Sequence, residues 1–413
     1  MSISLESLVN FPGVKVVRTE VAEHEIVFHV TLAARGTACH RCGQLATEFY
    51  RTGDTLRLRH LPIFERPVYL HLQTRRYRCQ QCTDGPTTTQ HGDWYDQHAH
   101  CTKAFAHALL RALVNSTLTD VAAKEQVPYD VLRGLLERCA QSAVAWEQFD
   151  SLATLGLDEI TLLKGQGDYV TLVSTRDAQG QIALLAVLPG REKATVKTFL
   201  ASIPAHLRTT IKEVCTDLYE GFVNAVQETL PDAHVVADRF HVARLYRAAL
   251  DELRKTEMRE LKTSLPPELY AGLHGVLWAL RRNLKDLTDE ETKLLELLFE
   301  CAPDLQRAYR LREQMTQIYA TKQTPAQAQT ALRAWLAQVR QSGLTCFDKF
   351  LGTLERHFEI ITNYFTHRTN SGWVEGFNNK VKVLKRRCYG LTTPAGLFRR
   401  LWLDLNGLTV FAH

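Results

Sequence analysis

The chain has 413 residues and carries 50 Lys and Arg against 45 Asp and Glu, a formal net charge of +5. Hydrophobic residues make up 45% and charged residues 23%, a globular balance that excludes long disorder, a collagen-like fibre and a disulfide-held miniprotein, at a length suited to several domains. The apolar run 182–188 ends at Pro189, far short of the roughly 18 residues of a membrane span. The opening MSISLESLVN has no basic segment followed by an apolar one, so a soluble cytoplasmic protein without a secretory leader is expected.

Residues 1–100 read as short strands and loops, β-rich at 14–17 and 26–30, and carry two CxxC pairs, Cys39/Cys42 and Cys79/Cys82. In a reducing compartment such pairs point to metal rather than disulfides. Each sets two thiolates one short turn apart, the bite for two corners of a tetrahedral Zn²⁺ at about 2.3 Å per sulfur. The 36 residues between the pairs leave room for a hairpin built from 56–60 and 68–72. A closed four-cysteine site is structural rather than catalytic. Two unrelated pairs of buried thiols are the competing reading. His98, His100 and Cys101 crowd one stretch and read as a solvated loop rather than a second metal site.

Next comes a helical stretch. Apolar spacing gives a helix over 104–114, a short helix capped by Thr119, and a third with Pro128 in its first turn, running to about Cys139. The segment TDVAAKEQVPYDVLRGLLER resembles a helix-turn-helix, with Arg133 as a DNA-facing candidate. Plain packing of three helices gives a similar pattern.

From residue 155 the pattern turns α/β. Strands are expected at 155–158, 169–174 and 182–188, with Gly180 in a turn, then a helix over 192–202, a strand at 212–216, a helix over 219–229 and a strand at 234–237. A three-strand meander followed by αβαβ is the order of an RNase H-like domain. Right-handed crossovers make its last two strands parallel to the first. Residues 242–368 are helical in pattern, and a final helix starts near Trp373.

Charge divides along the chain. Residues 158–241 hold eight Lys and Arg against eleven Asp and Glu, whereas 366–400 hold eight basic residues and one acid. Such a split suits a protein that gathers cations at one place and holds polyanions nearby. Asp158 ends the first strand of the α/β segment, and Asp217 ends the strand EVCTD 59 residues later. On neighbouring strands the two carboxylates repel, and Mg²⁺ relieves that repulsion. Glu375 is the third candidate, in SGWVEGFNNKVKVLKRR, where Glu375, Asn379, Lys382 and Arg386 share one helix face. Three carboxylates holding two metals serve phosphodiester chemistry. Glu159 points to the opposite strand face and is read as supporting the site. Asp238 and His241, three apart in ADRFHV, are candidates for orienting a phosphate or leaving group; a capping Asp and a packed His are the alternative.

The paired CxxC knuckles, the helix-turn-helix, LGLDEI with the following LLKGQGDYVTLV, VCTDLYEGF, VVADRFHV and TNSGWVEGFNNKVKVLKRRCYG together resemble the ISL-three family of bacterial insertion-sequence transposases, over essentially the whole chain. The resemblance implies a DDE recombinase with Asp158, Asp217 and Glu375 as its metal-binding acids, Mg²⁺ or Mn²⁺ at the catalytic site, and Asp238 and His241 as an Asp-x-x-His element. Leu162 and Leu163 depart from a more polar pattern there, away from the acids. It further implies binding of terminal inverted repeats and target DNA, strand cutting and transfer, and a homo-oligomer on DNA. Lys380, Lys382, Lys385, Arg386 and Arg387 are expected to neutralise phosphates beside Asn379; a solvated basic face is the alternative.

The expected organisation is therefore multidomain α+β: a zinc module over 1–100, a helix-turn-helix over 101–150, an RNase H-like catalytic domain over 151–241 and 369–413, and an all-helical insertion over 242–368. A non-catalytic DNA-binding regulator and a stand-alone RNase H-like nuclease are the rival functions.

Overall fold

A computed structural model describes residues 11, 13–162, 169–177, 179–368 and 372–412. The opening MSISLESLVN, residues 163–168 of the LLKGQGDY motif and residues 369–371 of TNSGWVEGFNN lie outside the described residues. The chain forms two compact units, one of Met1–Ser142 with Arg386–Tyr389 and Arg399–His413, the other of Ala143–Lys385 with Gly390–Phe398.

The first unit begins with strands β1 (Val14–Val21), β2 (Ile26–Leu32), β3 (Thr37–Ala38), β4 (Leu45–Ala46), β5 (Glu48–Ile63), β6 (Arg66–Arg78) and β7 (Thr87–Thr89). The main sheet runs β1-β2-β6-β5, with β7 also on β6, while β3 and β4 pair separately. β5 and β6 make one long hairpin, in which Leu56 faces Leu72, Leu58 faces Leu70 and His60 faces Val68. These are the segments expected to pair. Val68, Leu70 and Leu72 alternate inward as strand pleating requires and pack with Phe28 and Leu58. The hairpin reverses at Phe64 and Glu65, both at positive φ (48° and 66°), as a tight two-residue turn demands.

Helices α1 (Lys103–Leu113), α2 (Leu118–Glu125) and α3 (Tyr129–Cys139) follow. Thr102 caps α1, its hydroxyl accepting from the Phe105 amide at 3.3 Å. The cap of α2 is Thr117 rather than Thr119: Thr117 is extended and its hydroxyl accepts from the Asp120 amide at 3.0 Å, which leaves Thr119 inside the first turn. Pro128 likewise precedes α3 instead of lying within it. Leu109, Leu113, Val121, Leu132 and Leu136 are buried along these helices.

The second unit opens with β8 (Thr154–Thr161), β9 (Tyr169–Arg176) and β10 (Ile182–Pro189), then α4 (Lys193–Ser202), α5 (Ala205–Arg208), β11 (Glu213–Thr216), α6 (Glu220–Thr229) and β12 (His234–Ala237). The sheet order is β10-β9-β8-β11-β12. β8 and β9, and β9 and β10, pair antiparallel; β11 pairs parallel with both β8 and β12. Every residue of β11 is buried, as a strand covered on both faces requires. Gly180 turns β9 into β10 at φ +86°.

A helical block continues: α7 (Arg239–Ser264), α8 (Pro267–Ala271), α9 (Val276–Arg281), α10 (Asp289–Cys301), α11 (Pro303–Ala320), α12 (Pro325–Ser342), α13 (Asp348–Arg356) and α14 (Phe358–His367). α15 (Gly372–Arg387) and α16 (Pro394–Val410) close the chain. Among the described residues no helix is long and apolar enough to cross a membrane. The last fifteen residues, expected with the α/β domain, belong to the first unit. Buried Arg400 donates to the carbonyls of Leu113 (3.2 Å) and Ser116 (2.7 Å), and Asp404 accepts from the Asn115 amide at 3.0 Å. A buried Arg–Asp helix turn satisfied by the end of α1 fixes that placement.

Candidate functional site

The first candidate is the cysteine cluster. Cys39 follows β3 and Cys79 follows β6, so the two knuckles meet where the long hairpin starts and ends. Each knuckle is closed by a glycine at positive φ. The Gly43 amide donates to the Cys39 carbonyl at 2.9 Å, and the Gly85 amide to the Cys82 carbonyl at 3.0 Å. The Sγ atoms of Cys39, Cys42, Cys79 and Cys82 all lie within 4.8 Å of one another, and those of Cys42 and Cys79 are 3.6 Å apart. A tetrahedral zinc at about 2.3 Å per sulfur separates its ligands by about 3.8 Å, so the four thiols fit the ion. Backbone amides of Cys42 and Arg41 draw the Cys39 thiol down to about 6, while hydrogen bonding from its neighbours pushes Cys82 up to about 12. This is the only such ligand group among the described residues. Cys101 is buried beside a bridge to Arg59, and with His98 and His100 it forms no comparable cluster.

The second candidate lies at the carboxyl ends of the parallel strands. Gly156 on β8 pairs with Cys215 on β11, so the register carried two residues on sets Asp158 beside Asp217. Asp238 follows β12, its amide bonded to the Thr216 carbonyl at 2.8 Å. One sheet edge thus carries three carboxylates. Each is steadied by a backbone amide: Asp158 accepts from Glu159 at 2.7 Å, Asp217 from Tyr219 at 3.1 Å, and Asp238 from Phe240 at 2.7 Å as the cap of α7. Asp238 Oδ2 also meets His241 Nδ1 at 3.0 Å.

Burial dominates the electrostatics. It pushes Asp158 up to about 6 and raises Asp217, with the neighbouring carboxylates adding to both. The Asp238 partner raises His241, against the pull of burial. Half-buried carboxylates that repel one another fit a hard divalent cation, which favours oxygen donors and retains water. The acids are more open than the sulfurs, since no three of their ligand atoms converge within 4.8 Å among the described residues. Glu159 turns away and holds Arg191 at 3.0 Å, whose guanidinium lies over Tyr169 and Tyr219.

α15 reaches this edge through Gly156. A Cβ there would meet Trp373 and Val374 side-chain carbons at 2.8 Å, so only glycine lets the helix lie this close. The approach delivers Asn378, whose Nδ2 donates to Asp158 Oδ2 while its buried Oδ1 has no partner among the described residues. Sequence reasoning missed Asn378 and chose Asn379. The available signal was its spacing with Val374, Val381 and Leu384, a polar residue on the apolar stripe of the helix. Glu375, Asn379, Lys382 and Arg386 do share a face, and it is the exposed one. Glu375 stands one turn before Asn378, on the exposed face of α15. Lys385 Nζ donates to the Thr161 carbonyl. Arg387 pairs with buried Asp404. Lys380 is half-buried on α15, and Arg133, exposed on α3, pairs with Asp130 at 3.0 Å.

Comparison with known proteins covers the segments of both candidate sites. A family model of ISL3-type DDE elements, described as a transposase, matches residues 155–401. A second, described as the zinc-finger of transposase IS204/IS1001/IS1096/IS1165, matches residues 35–82. The transposase for insertion sequence element IS1001 from Bordetella parapertussis is 29% identical over 96% of this chain and 96% of its own length. The transposase for insertion sequence element IS1557 from Mycobacterium tuberculosis is 26% identical over 89% of this chain and 86% of its own.

Proposed function

The chain belongs to the ISL3 family of DDE transposases, and on that premise we propose that it binds the terminal inverted repeats of its own element and cuts and transfers DNA strands with Mg²⁺ at Asp158 and Asp217. The observation that carries this reading is the pair of half-buried carboxylates on neighbouring parallel strands, both raised, with Asn378 bonded to one of them. The β10-β9-β8-β11-β12 order supports an RNase H-like domain, with α7–α14 as its helical insertion. The α1–α3 unit is read as a helix-turn-helix that places Arg133 toward DNA. Glu375 completes the acid set from the exposed face of α15.

A divalent cation held by these carboxylates would supply Lewis-acid polarisation of the scissile phosphate and neutralise the charge developing in an in-line displacement. Asp158 and Asp217 would hold that cation, and Asn378 keeps Asp158 aimed. His241, held through Nδ1 by Asp238, presents Nε2 with a proton for a phosphate or leaving oxygen. Lys380, Lys382 and Arg386 follow Glu375 along α15 and neutralise DNA phosphates beside Asn379. A water oxygen displaces the 3′-oxygen of the cut link, which leaves as a hydroxyl. That 3′-hydroxyl then attacks a phosphorus in target DNA, loses its proton and displaces the target strand's own 3′-oxygen, which leaves as a hydroxyl, so no covalent protein–DNA bond forms. Joining two ends needs two such sites, hence a homo-oligomer on DNA.

The test is supercoiled DNA carrying the flanks of the gene, incubated with Mg²⁺ or with EDTA. Metal-dependent nicks at the element ends, absent in Asp217→Ala, are expected. End binding without cutting in any metal would make the protein a regulator instead.

A further inference from the structure

A cavity of about 460 Å³ opens in the helical block between α7 and α9. Arg244, Arg247, Arg254, Arg281 and Arg312 line it, against a single acid, Asp251. Two of these arginines are already held. Arg254 pairs with Asp251 at 2.9 Å, and Arg312, 1% exposed, pairs with Glu313 at 2.8 Å. Arg244, Arg247 and Arg281 are exposed and have no ion-pair partner among the described residues. Leu250, Leu277 and Leu280 give the cavity an apolar wall.

The placement matters as much as the charge. Phe240, Arg244, Arg247, Asp251 and Arg254 fall at i, i+4, i+7, i+11 and i+14, one face of α7. α7 is the helix that Asp238 caps and His241 opens. At about 1.5 Å per residue, Arg244 stands about 9 Å and Arg254 about 24 Å along the axis from Asp238. A duplex cannot enter a cavity of this size, whereas one nucleotide fits. Unpaired arginines suit phosphates, and an apolar wall suits the face of a base.

We propose that this cavity takes an unpaired stretch of a DNA strand, with its phosphates on Arg244, Arg247 and Arg281 and one base against Leu250, Leu277 and Leu280. The inference rests on the reading of Asp158 and Asp217 as the cutting site, from which a held strand continues along α7. The same phosphate chemistry could be met by a free nucleoside triphosphate, so the test separates the two sources.

The full chain is titrated with a fluorescent single-stranded oligonucleotide and with the duplex element end, from 50 to 200 mM salt, without added divalent metal. The double variant Arg244→Gln, Arg247→Gln removes two exposed charges and should melt as the wild type does. Its single-strand affinity should fall about tenfold, and its log K against log salt should become shallower by about 1.4, near 0.7 for each lost phosphate contact. Duplex binding should keep its slope, and millimolar ATP should not displace the oligonucleotide. An unchanged single-strand slope overturns the inference, as does displacement by ATP. Wild-type cutting of the element ends is scored in parallel. Cutting with an unchanged slope sinks this inference alone, whereas a changed slope without any cutting sinks the reading of the acids.

Discussion

Replacing Asp158 by Asn should stabilise the protein while removing its activity. Burial holds the Asp158 carboxyl at about 6 instead of the ordinary 3.8. Two pK units correspond to about 3 kcal/mol of cost for the ionised form at pH 7. Water reaching this half-buried position takes part of that, leaving about 1–3 kcal/mol to be recovered. The local hydrogen bonds survive the change. The oxygen of the introduced amide can still accept from the Glu159 backbone N–H, and Asn378 can turn its own amide so that its orphaned Oδ1 accepts from the introduced NH₂. At about 2–4 °C per kcal/mol the melting temperature should rise by about 2–12 °C. The sign follows from the raised value: the folded carboxyl holds its proton more tightly than the unfolded one. Its stabilising contribution is therefore complete below pH 3.8 and lost as pH rises through about 6. The gap between variant and wild type should thus be largest at pH 7 and shrink to about a third by pH 4.5. Added Mg²⁺ should raise the wild-type melting temperature and leave the variant unmoved. Scanning calorimetry at both pH values reads all three effects. A variant that melts below wild type at pH 7, or a gap equal at both pH values, would refute the reasoning.

Gly156→Ala puts a carbon at 2.8 Å from Trp373 and Val374, so a loss of about 1–3 kcal/mol is expected in a denaturant melt. Strand cutting should fall further than stability, because Asn378 is lifted from Asp158; a fully active variant would show that α15 need not lie so close. Cys79→Ser should abolish zinc release on thiol modification, from one ion per chain to none, and weaken binding of the element ends. The buried hairpin core of Phe28, Leu58 and Leu70 should keep its strand signal in circular dichroism. Retention of a full zinc ion by Cys79→Ser would argue against the four-sulfur site.

The legible parts of the sequence were those in which one local pattern carries the structure. Alternation at Val68, Leu70 and Leu72 marked the hairpin, and the two CxxC pairs marked the sulfur cluster. The αβαβ order after the meander placed Asp158 and Asp217 on neighbouring strands, as the sheet order has them. What stayed hidden depended on the partner of a side chain rather than on its own segment. Helix periodicity gave the Glu375, Asn379, Lys382 and Arg386 face correctly but could not say that the opposite face, through Asn378, meets β8. The basic run could not show that Lys385 also meets the Thr161 carbonyl or that Arg387 also meets Asp404. Thr117 and Thr119 are both acceptable caps by residue type, and only backbone conformation decides between them. The affinity of the last fifteen residues for α1 rests on Arg400 and the carbonyls of Leu113 and Ser116, a contact across more than 280 positions that no local pattern encodes.

The central claim is that Asp158 and Asp217 hold the metal that cutting requires. A change of metal preference tests it most directly. Asp217→Cys exchanges a hard oxygen donor for a soft sulfur at the same strand end, and sulfur accepts Mn²⁺ far better than Mg²⁺. Cutting of the element ends by this variant should be lost in Mg²⁺, by at least about a hundredfold, and return in Mn²⁺, while wild type cuts in both. A variant that cuts as well as wild type in Mg²⁺ would contradict the assignment of Asp217.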